Sequence, residues 1–569
     1  MQYSEWIVVK TNQDYLQYLS KSLNISIPIA QVLVSRGLKE VDEIYSFLNP
    51  SMDLIDPFSI SGVYEAVRII KDAINSGIKI FINGDYDADG LTGTAILYDI
   101  LKKMKAQVFY HIPHRIHHGY GLTKTSIEEA KKAGAKLIIT VDCGIRDFEM
   151  VQYAKKEGIE TIITDHHEPL RIDGELVLPE ALTIINPKVD ENSPYTSLAG
   201  VGVAFMLAMA LNSEEAMQYL DLVTLGTYAD MVPLNTTNRA LIKQGWGLLE
   251  NPCRASIKIL KEIAGVNSNI IKNFHLSYCL IPRINAPGRI DHAQDVVKFF
   301  TSEDIGEIEN IGQWINQINS LRQKTEEKIM EEVEKKLDNE FNDEAVVVLW
   351  GDWHLGVVGT VASKLLDRFN RPVFIMAIDE NKAKGSARAP SGVDLQKMLC
   401  SCKDLLIRFG GHKQAAGVML YKEKLNEFKE RLCKLAESMD MEPKNVLQLD
   451  AQVSLSEVNE KLTEEIKLLE PFGEGNREPI FGAKELTVVN LRKVGSNHLK
   501  MSLRQNGKYI PAIGFDMAGE PILEGCLVDA AFTPVINEWE GVRSLQLQLK
   551  AIRRTQNRLM GVQNSKAKF

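Results

Sequence analysis

Cysteine is scarce in this sequence, and what there is lies scattered. The seven thiols, at 143, 253, 279, 400, 402, 433 and 526, form no metal-ligand pair spacing. An odd, dispersed set fits a reducing compartment, so the expected location is cytoplasmic. Long apolar runs are also missing. The longest, VGVAFMLAMAL (201–211), is well short of a membrane span, so no membrane association is expected. The opening MQYSEWIVVK lacks a basic segment followed by an apolar core, and nothing in it points to export. No internal repeat of roughly 20–50 residues is present. Positive charge is not in excess either: the net charge is −9, which neither supports nor excludes a polyanionic partner. The average conceals two acid-free stretches. Residues 100–127 carry Lys102, Lys103, Lys105, Arg115 and Lys124 with His111, His114, His117 and His118 between them, and residues 486–515 carry Arg492, Lys493, Lys500, Arg504 and Lys508. Both fit a surface that tracks phosphates.

What is present is ordinary globular material. With 45% hydrophobic and 25% charged residues over 569 positions, the length suggests roughly three or four domains. From about 60 to 235, short β-branched runs such as VFYHIP (108–113), AKLIITVD (135–142), IETIIT (159–164) and LTIINP (182–187) alternate with helical segments. That alternation predicts a largely parallel sheet with helices on its faces. From 304 to about 340, Ile305, Ile308, Ile311, Ile315, Ile318, Leu321, Ile329, Val333 and Leu337 recur at three- and four-residue intervals with one missed turn. This predicts one long helix connecting two lobes. A second α/β lobe follows from AVVVLW (345–350) and PVFIMAI (372–378), and after about 446 the period-two runs of a small β-barrel or sandwich dominate.

The stretch GDYDADG (84–90) crowds Asp85, Asp87 and Asp89 into five positions. Carboxylates that close repel and raise one another's pKa unless a cation sits among them. The pattern also opens a calcium-binding EF-hand loop, but that loop follows a helix and needs a Glu at its twelfth position. Here it follows the strand-like IKIFIN, and the twelfth position is Ile96. The acids instead lie where a strand passes to a helix. Asp142 in VDCG, Asp165-His166-His167 after TIIT, and Asp230 in ADMVPL end elements in a similar way. In a parallel sheet the C-terminal strand ends share one edge, so Asp85, Asp87, Asp89, Asp142 and Asp165-His166-His167 can converge there, whereas Asp230 follows an apolar helical run. Carboxylates with one or two imidazoles suit Mn²⁺ or Mg²⁺; zinc is disfavoured without thiolates, though not excluded.

The motifs NGDYDADGLTG, VDCGI, TDHH and ADMVPL, in this order, resemble the four motifs of the DHH phosphoesterases. PRINAPGR (282–289), WHLGVVG (353–359), GSAR (385–388), GGHKQAAG (410–417) and PFGEGNREPIF (471–481) resemble the longer RecJ branch, single-strand-specific 5′→3′ DNA exonucleases. The resemblance runs from about residue 60 to 555. It implies a two-lobed α/β fold: a DHH catalytic domain over 61–303, a connecting helix over 304–340, a DHHA1 substrate-binding domain over 341–445, and an OB-fold barrel over 446–555. Residues 1–60 are expected to pack on the first lobe, and 556–569 form a frayed tail. By resemblance, Asp87, Asp89, Asp142, His166 and Asp230 hold two Mn²⁺ or Mg²⁺ ions, with Asp142 bridging and His167 beside them. Small phosphatase relatives carry a histidine where this chain has Asn83, and Asp85 is the candidate to replace it as a ligand. Arg115, Asn285, Arg289, His354, Ser386, Arg388, Gly411 and His412 are expected on the substrate.

The implied reaction is phosphodiester hydrolysis to 5′-mononucleotides by a two-metal mechanism, in recombination and repair. The implied partners are single-stranded DNA, a RecQ-type helicase and a single-stranded-DNA-binding protein. Two alternatives stand beside it. A DHH-family oligoribonuclease or cyclic-dinucleotide phosphodiesterase shares the metal chemistry but is generally shorter and lacks the β-rich C-terminal region. A non-catalytic nucleic-acid-binding scaffold would have substitutions at the acidic motifs, which this chain keeps.

Overall fold

The computed structural model describes residues 3, 5–268, 270–340, 344–438, 446–539 and 542–555; the tail expected from 556 onward lies outside them. The chain forms two compact units, one of residues 55–232 and 241–443, the other of residues 1–54, 233–240 and 444–569.

The first lobe of the larger unit is built on five parallel strands in the order Val108–His111, Ile80–Asn83, Leu137–Val141, Glu160–Thr164, Thr183–Ile185. Ile80–Asn83 and Leu137–Val141 are buried at every position, as a strand covered on both faces must be. That explains why they read as unbroken apolar runs rather than alternating ones. The three acidic motifs at 85–89, 142 and 165–167 leave the same edge of this sheet. Helices Ala88–Lys103, Gly200–Leu211 and Leu220–Ala229 pack together beside it.

The helix Ile305–Glu340 spans 36 residues. Its apolar stripe is buried at Ile308, Ile315, Ile329, Val333 and Leu337, whereas Ile305 and Leu321 are exposed. The missed turn in the stripe is filled by polar groups. Glu326 is buried and pairs with Arg322 at 2.8 Å and Lys364 at 2.6 Å, so its charge is compensated on both sides. The end of the helix shares a core with the second lobe, joining Ile329, Val333 and Leu337 to Val358, Val361 and Leu365. The five strands of that lobe run in the order Leu406–Gly411, Ala415–Tyr421, Lys382–Arg388, Val373–Asp379, Val347–Gly351. GSAR therefore lies on a central strand, with Ser386 opposite Gly417 of the GGHKQAAG hairpin.

In the other unit, six strands from Ala451–Gln452 to Val542–Arg554 close into a barrel through pairing of Phe481–Val494 with Leu527–Trp539. Its core includes Leu16, Leu19, Ile29, Leu33 and Ile44 together with Leu486, Val488, Leu503 and Phe532. The strand Glu5–Val8 also pairs in parallel with Val446–Leu449. This corrects the expectation for residues 1–60. Only residues 55–60 lie with the first lobe, where the Asp56 N–H donates to the Tyr195 hydroxyl at 3.0 Å. Residues 1–54 bury their apolar helix faces with the barrel, a pairing that sequence proximity does not suggest. Arg239 belongs to this unit as well. Its fully buried guanidinium lies over the Phe47 ring and donates to the carbonyls of Phe47, Leu468, Leu469, Glu470 and Pro471.

Candidate metal centre and phosphate cleft

The strand Ile80–Asn83 ends and the helix Ala88–Lys103 begins five residues later, so the acidic loop between them must also cap the helix. Asp87 does this: its carboxylate accepts from the N–H groups of Asp89 at 3.0 Å and Gly90 at 3.2 Å. The Ala88 N–H donates to Asn285 Oδ1 at 2.8 Å. Asp89, in the first turn of the helix, accepts from the N–H groups of Gly200 and Val201, both at 2.7 Å, placing its charge at the start of a second helix. Gly90 is required because a Cβ there would lie 2.6 Å from the Asp85 side chain.

Asp142 leaves its strand in the left-handed conformation, φ 61°, an uncommon state for a side-chain-bearing residue that concentrates at functional sites. This turn sets its carboxylate against the other motifs. His166 Nε2 lies 3.2 Å from Asp142 Oδ1, 3.5 Å from Asp230 Oδ2 and 3.9 Å from Asp89 Oδ2. Three overlapping groups, Asp142/His166/His167, Asp89/His166/Asp230 and Asp85/Asp87/Asp142, each bring their ligand atoms within 4.8 Å of one another. Asp85 Oδ1, Asp142 Oδ1 and His166 Nε2 are buried with no hydrogen-bond partner. Buried polar atoms are seldom left so.

The electrostatics agree with the geometry. Burial, then the charges of neighbouring carboxylates, raise Asp85, Asp89 and Asp142 well above the usual carboxylate range. Burial and Asp87 raise Asp230 to about 7. Burial, then His167, lowers His166 to about 3, so it stays neutral with a lone pair to offer. Crowded buried acids around a neutral imidazole fit divalent cations, which relieve the repulsion. Asp85 completes the group with Asp87 and Asp142. Asn83 instead turns its amide to the Gly121 carbonyl and Cys143 Sγ.

Asp165 orients the histidines. It accepts from the N–H groups of His166 at 2.7 Å, His167 at 3.0 Å and Ile145 at 2.9 Å, and lies 2.8 Å from His167 Nδ1. Burial pushes its carboxyl up, but the bond and charge of His167 outweigh this and bring it to about 2. Burial lowers the His167 imidazole, and Asp165 more than compensates, leaving it raised. The Tyr120 hydroxyl donates to the Asp142 carbonyl at 2.7 Å, so its lone pairs face His167 Nδ1 at 3.1 Å. Both neighbours of Nδ1 are acceptors, which assigns the proton to Nδ1 and leaves Nε2 for the site.

Beside Asp87 opens a cleft of about 500 Å³ lined by Tyr86, Arg115, Asn285, Arg289, Ser386, Arg388 and Gly411 among others. Arg115 lies over the Tyr86 ring at 5.1 Å, and Arg388 donates to Ser386 Oγ at 2.7 Å. Burial, then Arg115, lowers the pKa of Arg289 to about 10, and the same two causes lower that of Arg388. Like charges gathered in a half-buried cleft are stabilised by an anion of matching size. The backbones approach closely: a Cβ on Gly288 would lie 2.2 Å from the Tyr86 carbonyl and one on Gly356 1.8 Å from the Arg289 carbonyl.

The structure thus gathers Asp85, Asp87, Asp89, Asp142, His166, His167 and Asp230 into one cluster, with Arg115, Asn285, Arg289, Ser386, Arg388 and Gly411 on the adjoining cleft. His412 lines a separate cavity with His167, Asp165 and Tyr120. His354 is not among the described residues that line this cleft, whereas its neighbour Leu355 is. Its Nδ1 accepts from the Gly356 N–H at 3.2 Å. Sequence reasoning missed Tyr86, Tyr120, Asp165 as an orienting group, and Gly200. For Tyr120 the only local signal was its place in HHGYGL.

Three family models match the chain: the DHH family N-terminal domain over residues 79–227, the DHHA1 domain over 342–438 and the RecJ OB domain over 449–551. The single-stranded-DNA-specific exonuclease RecJ of Bacillus subtilis is 37% identical over 558 residues, covering 96% of this chain and 70% of that protein. The Haemophilus influenzae protein of the same name is 34% identical, covering 90% of this chain and 93% of its own length. The crystal structure of Thermus thermophilus RecJ in complex with Mn²⁺ superposes with a TM-score of 0.84 at 29% identity, covering 98% of this chain and 81% of that one. The same protein's Mg²⁺ complex gives a TM-score of 0.78 at 27% identity, covering 97% and 79%.

Proposed function

This chain belongs to the RecJ family of single-stranded-DNA-specific exonucleases, and on that premise we propose that it degrades single-stranded DNA from the 5′ end. The products are 5′-mononucleotides, and the setting is recombination and repair. The observation that carries the reading is the direct adjacency of two chemistries. A crowded, buried Asp/His cluster with unpartnered ligand atoms borders a cleft in which arginines stand close enough to depress one another's pKa.

Asp85, Asp87 and Asp142 would hold one divalent cation, and Asp89, Asp230 and His166 a second. Bound Mn²⁺ or Mg²⁺ would supply Lewis acidity there, to activate water and to neutralise charge on the reacting phosphate. The chain's own groups do the rest. Arg115, Arg289, Arg388 and Ser386 hold phosphate oxygens, and a terminal 5′ phosphate, carrying more charge than an internal diester, gains most from them. Asp165 holds His167 with Nδ1 protonated, so Nε2 is the atom that meets a phosphate oxygen or a departing hydroxyl. Asn285 fixes the first turn of the helix that carries Asp89. The barrel supplies a basic surface for the incoming strand. A cytoplasmic location, with a RecQ-type helicase and a single-stranded-DNA-binding protein as partners, belongs to the same reading; the seven free thiols agree with a reducing compartment. No described helix is long and apolar enough to cross a membrane.

The test is a time course on internally labelled single-stranded DNA of about 40 nucleotides, a length chosen to engage an OB-fold, with Mn²⁺, Mg²⁺ or EDTA. Parallel substrates carry a blocked 5′ or 3′ end. Metal-dependent loss to mononucleotides, stopped only by the 5′ block, is expected. Loss stopped by the 3′ block would reverse the polarity, and a preference for dinucleotides over long DNA would make this a small-substrate phosphodiesterase.

A further inference from the structure

Away from the cleft, the larger unit exposes an aromatic pair. Phe274 and Tyr278 are 59% and 70% exposed, their rings stacked with centroids 5.1 Å apart and planes at 24°. Ile270, four positions earlier in the chain, is 66% exposed. Single exposed apolar residues are unremarkable, but a contiguous apolar patch on a monomer's surface marks a binding site more often than not. The patch is rigidly presented. Ile271 beside it is buried, its carbonyl accepting from Trp246 Nε1 and its N–H donating to Glu250 Oε1, both at 3.2 Å. Leu276 and Leu280 are buried beneath the pair. The i, i+4 spacing of Phe274 and Tyr278 stacks their rings on the outer face.

What the patch is continuous with identifies its occupant. The residues His275–Leu280 form a π-helical turn, a feature frequent at functional sites, that runs directly into the helix Ile281–Ile290. That helix carries Asn285, Gly288 and Arg289 on the phosphate cleft. Between Tyr278 and the cleft residues lie seven to eleven positions, a rise of roughly 10–16 Å. A strand anchored in the cleft reaches the aromatic pair within a few nucleotides. From Ile263 to Ile290 the chain carries no Asp or Glu, while Lys272 stands beside the pair and Arg289 on the cleft; Arg283 donates inward to Asn316 and the Cys279 and Ile263 carbonyls.

We propose that Phe274 and Tyr278 form a stacking platform for unpaired bases of the DNA strand whose phosphate is held in the cleft. The platform rests on the exonuclease reading and extends it, because a base is free to stack there only when it is unpaired. Discrimination against duplex DNA then arises partly on this helix and does not depend on the cleft's width alone.

The test uses 5′-phosphorylated single-stranded oligonucleotides carrying one abasic site, moved a position at a time inward from the 5′ end, with kcat/KM read for cleavage. For the wild-type enzyme, a fall is expected when the abasic site occupies one or two positions a few nucleotides in. The double variant Phe274→Ala/Tyr278→Ala loses about tenfold or more on unmodified DNA and shows no dip at those positions. Tyr278→Phe retains the dip, and Tyr64→Ala, an exposed tyrosine elsewhere on the unit, retains wild-type values. A flat wild-type profile, or a dip that survives the double substitution, overturns the platform. If the wild-type enzyme degrades no single-stranded DNA at all, the exonuclease reading has failed instead, and the two outcomes are distinct.

Discussion

The substitution Gly200→Ala perturbs the metal centre without replacing any candidate ligand. Gly200 is fully buried and opens the helix Gly200–Leu211. A Cβ there would lie 2.5 Å from Asp142 Oδ1 and 2.6 Å from its Cβ and Cγ, so the neighbours must separate by about 1 Å to reach ordinary contact. The helix cannot retreat freely, because the Gly200 and Val201 N–H groups hold Asp89 at 2.7 Å. The Asp142 backbone is tied as well, its N–H donating to the Thr164 carbonyl at 3.0 Å. The Asp142 carboxylate must therefore swing away from His166. Displacement of about 1 Å at a reacting centre costs about 10²-fold in rate, and overpacking costs about 1–3 kcal/mol of stability. Exonuclease rate measured against Mn²⁺ concentration should show both a lower plateau and a midpoint raised about tenfold or more. Gly202→Ala, whose Cβ would meet only the Leu198 side chain at 3.0 Å, is the milder control. A Gly200→Ala enzyme with wild-type rate and wild-type Mn²⁺ dependence would show that Asp142 is not held as described.

Three further outcomes follow from the same distances. Tyr120→Phe removes the hydroxyl that faces His167 Nδ1 and should lower kcat about tenfold, a loss of one hydrogen bond, with a smaller effect on KM; an unchanged kcat would remove Tyr120 from the site. Arg239→Lys removes the bonds to the Phe47, Leu468 and Glu470 carbonyls while the Asn476 amide still serves those of Leu469 and Pro471, so denaturant unfolding should report a loss of about 1–3 kcal/mol, and an unchanged stability would contradict the clamp. Burial, opposed by the Leu122 N–H, raises Asp147 to about 6, above its unfolded value. Its contribution to stability is thus fully present below about pH 4 and is lost as pH rises through about 6. Asp147→Asn keeps the acceptor without the charge, so its Tm should match the wild type at pH 4 and exceed it at pH 8, by an equivalent of about 1–2 kcal/mol after allowing for partial exposure. A Tm difference that is constant across this range would refute the assignment.

The sequence by itself determined the features that are local or periodic. Buried parallel strands are covered on both faces, so IKIFIN and LIITV had to read as unbroken apolar runs, and the acids that follow them had to emerge on one edge. The failure of the EF-hand reading was equally local, decided by Ile96 and by a strand where a helix was needed. The order of the acidic motifs with the C-terminal β-rich runs then pointed to the family. Tertiary structure alone decided what depends on partners distant in the chain. Gly200 sits in an apolar run and looks like helix interior; only its approach to Asp142 makes its missing side chain necessary. Tyr120 acquires a role because the parallel sheet brings the loop after Val108–His111 against Asp142 and His167. Glu326 breaks an apolar stripe without harm because Lys364, from another helix, meets it. Residues 1–54 read as a neighbour of the segment that follows them, yet their apolar faces are buried with strands more than four hundred residues away. Hydrophobic burial has no direction along the chain, so periodicity shows that a face will be covered and leaves the identity of its cover to the fold.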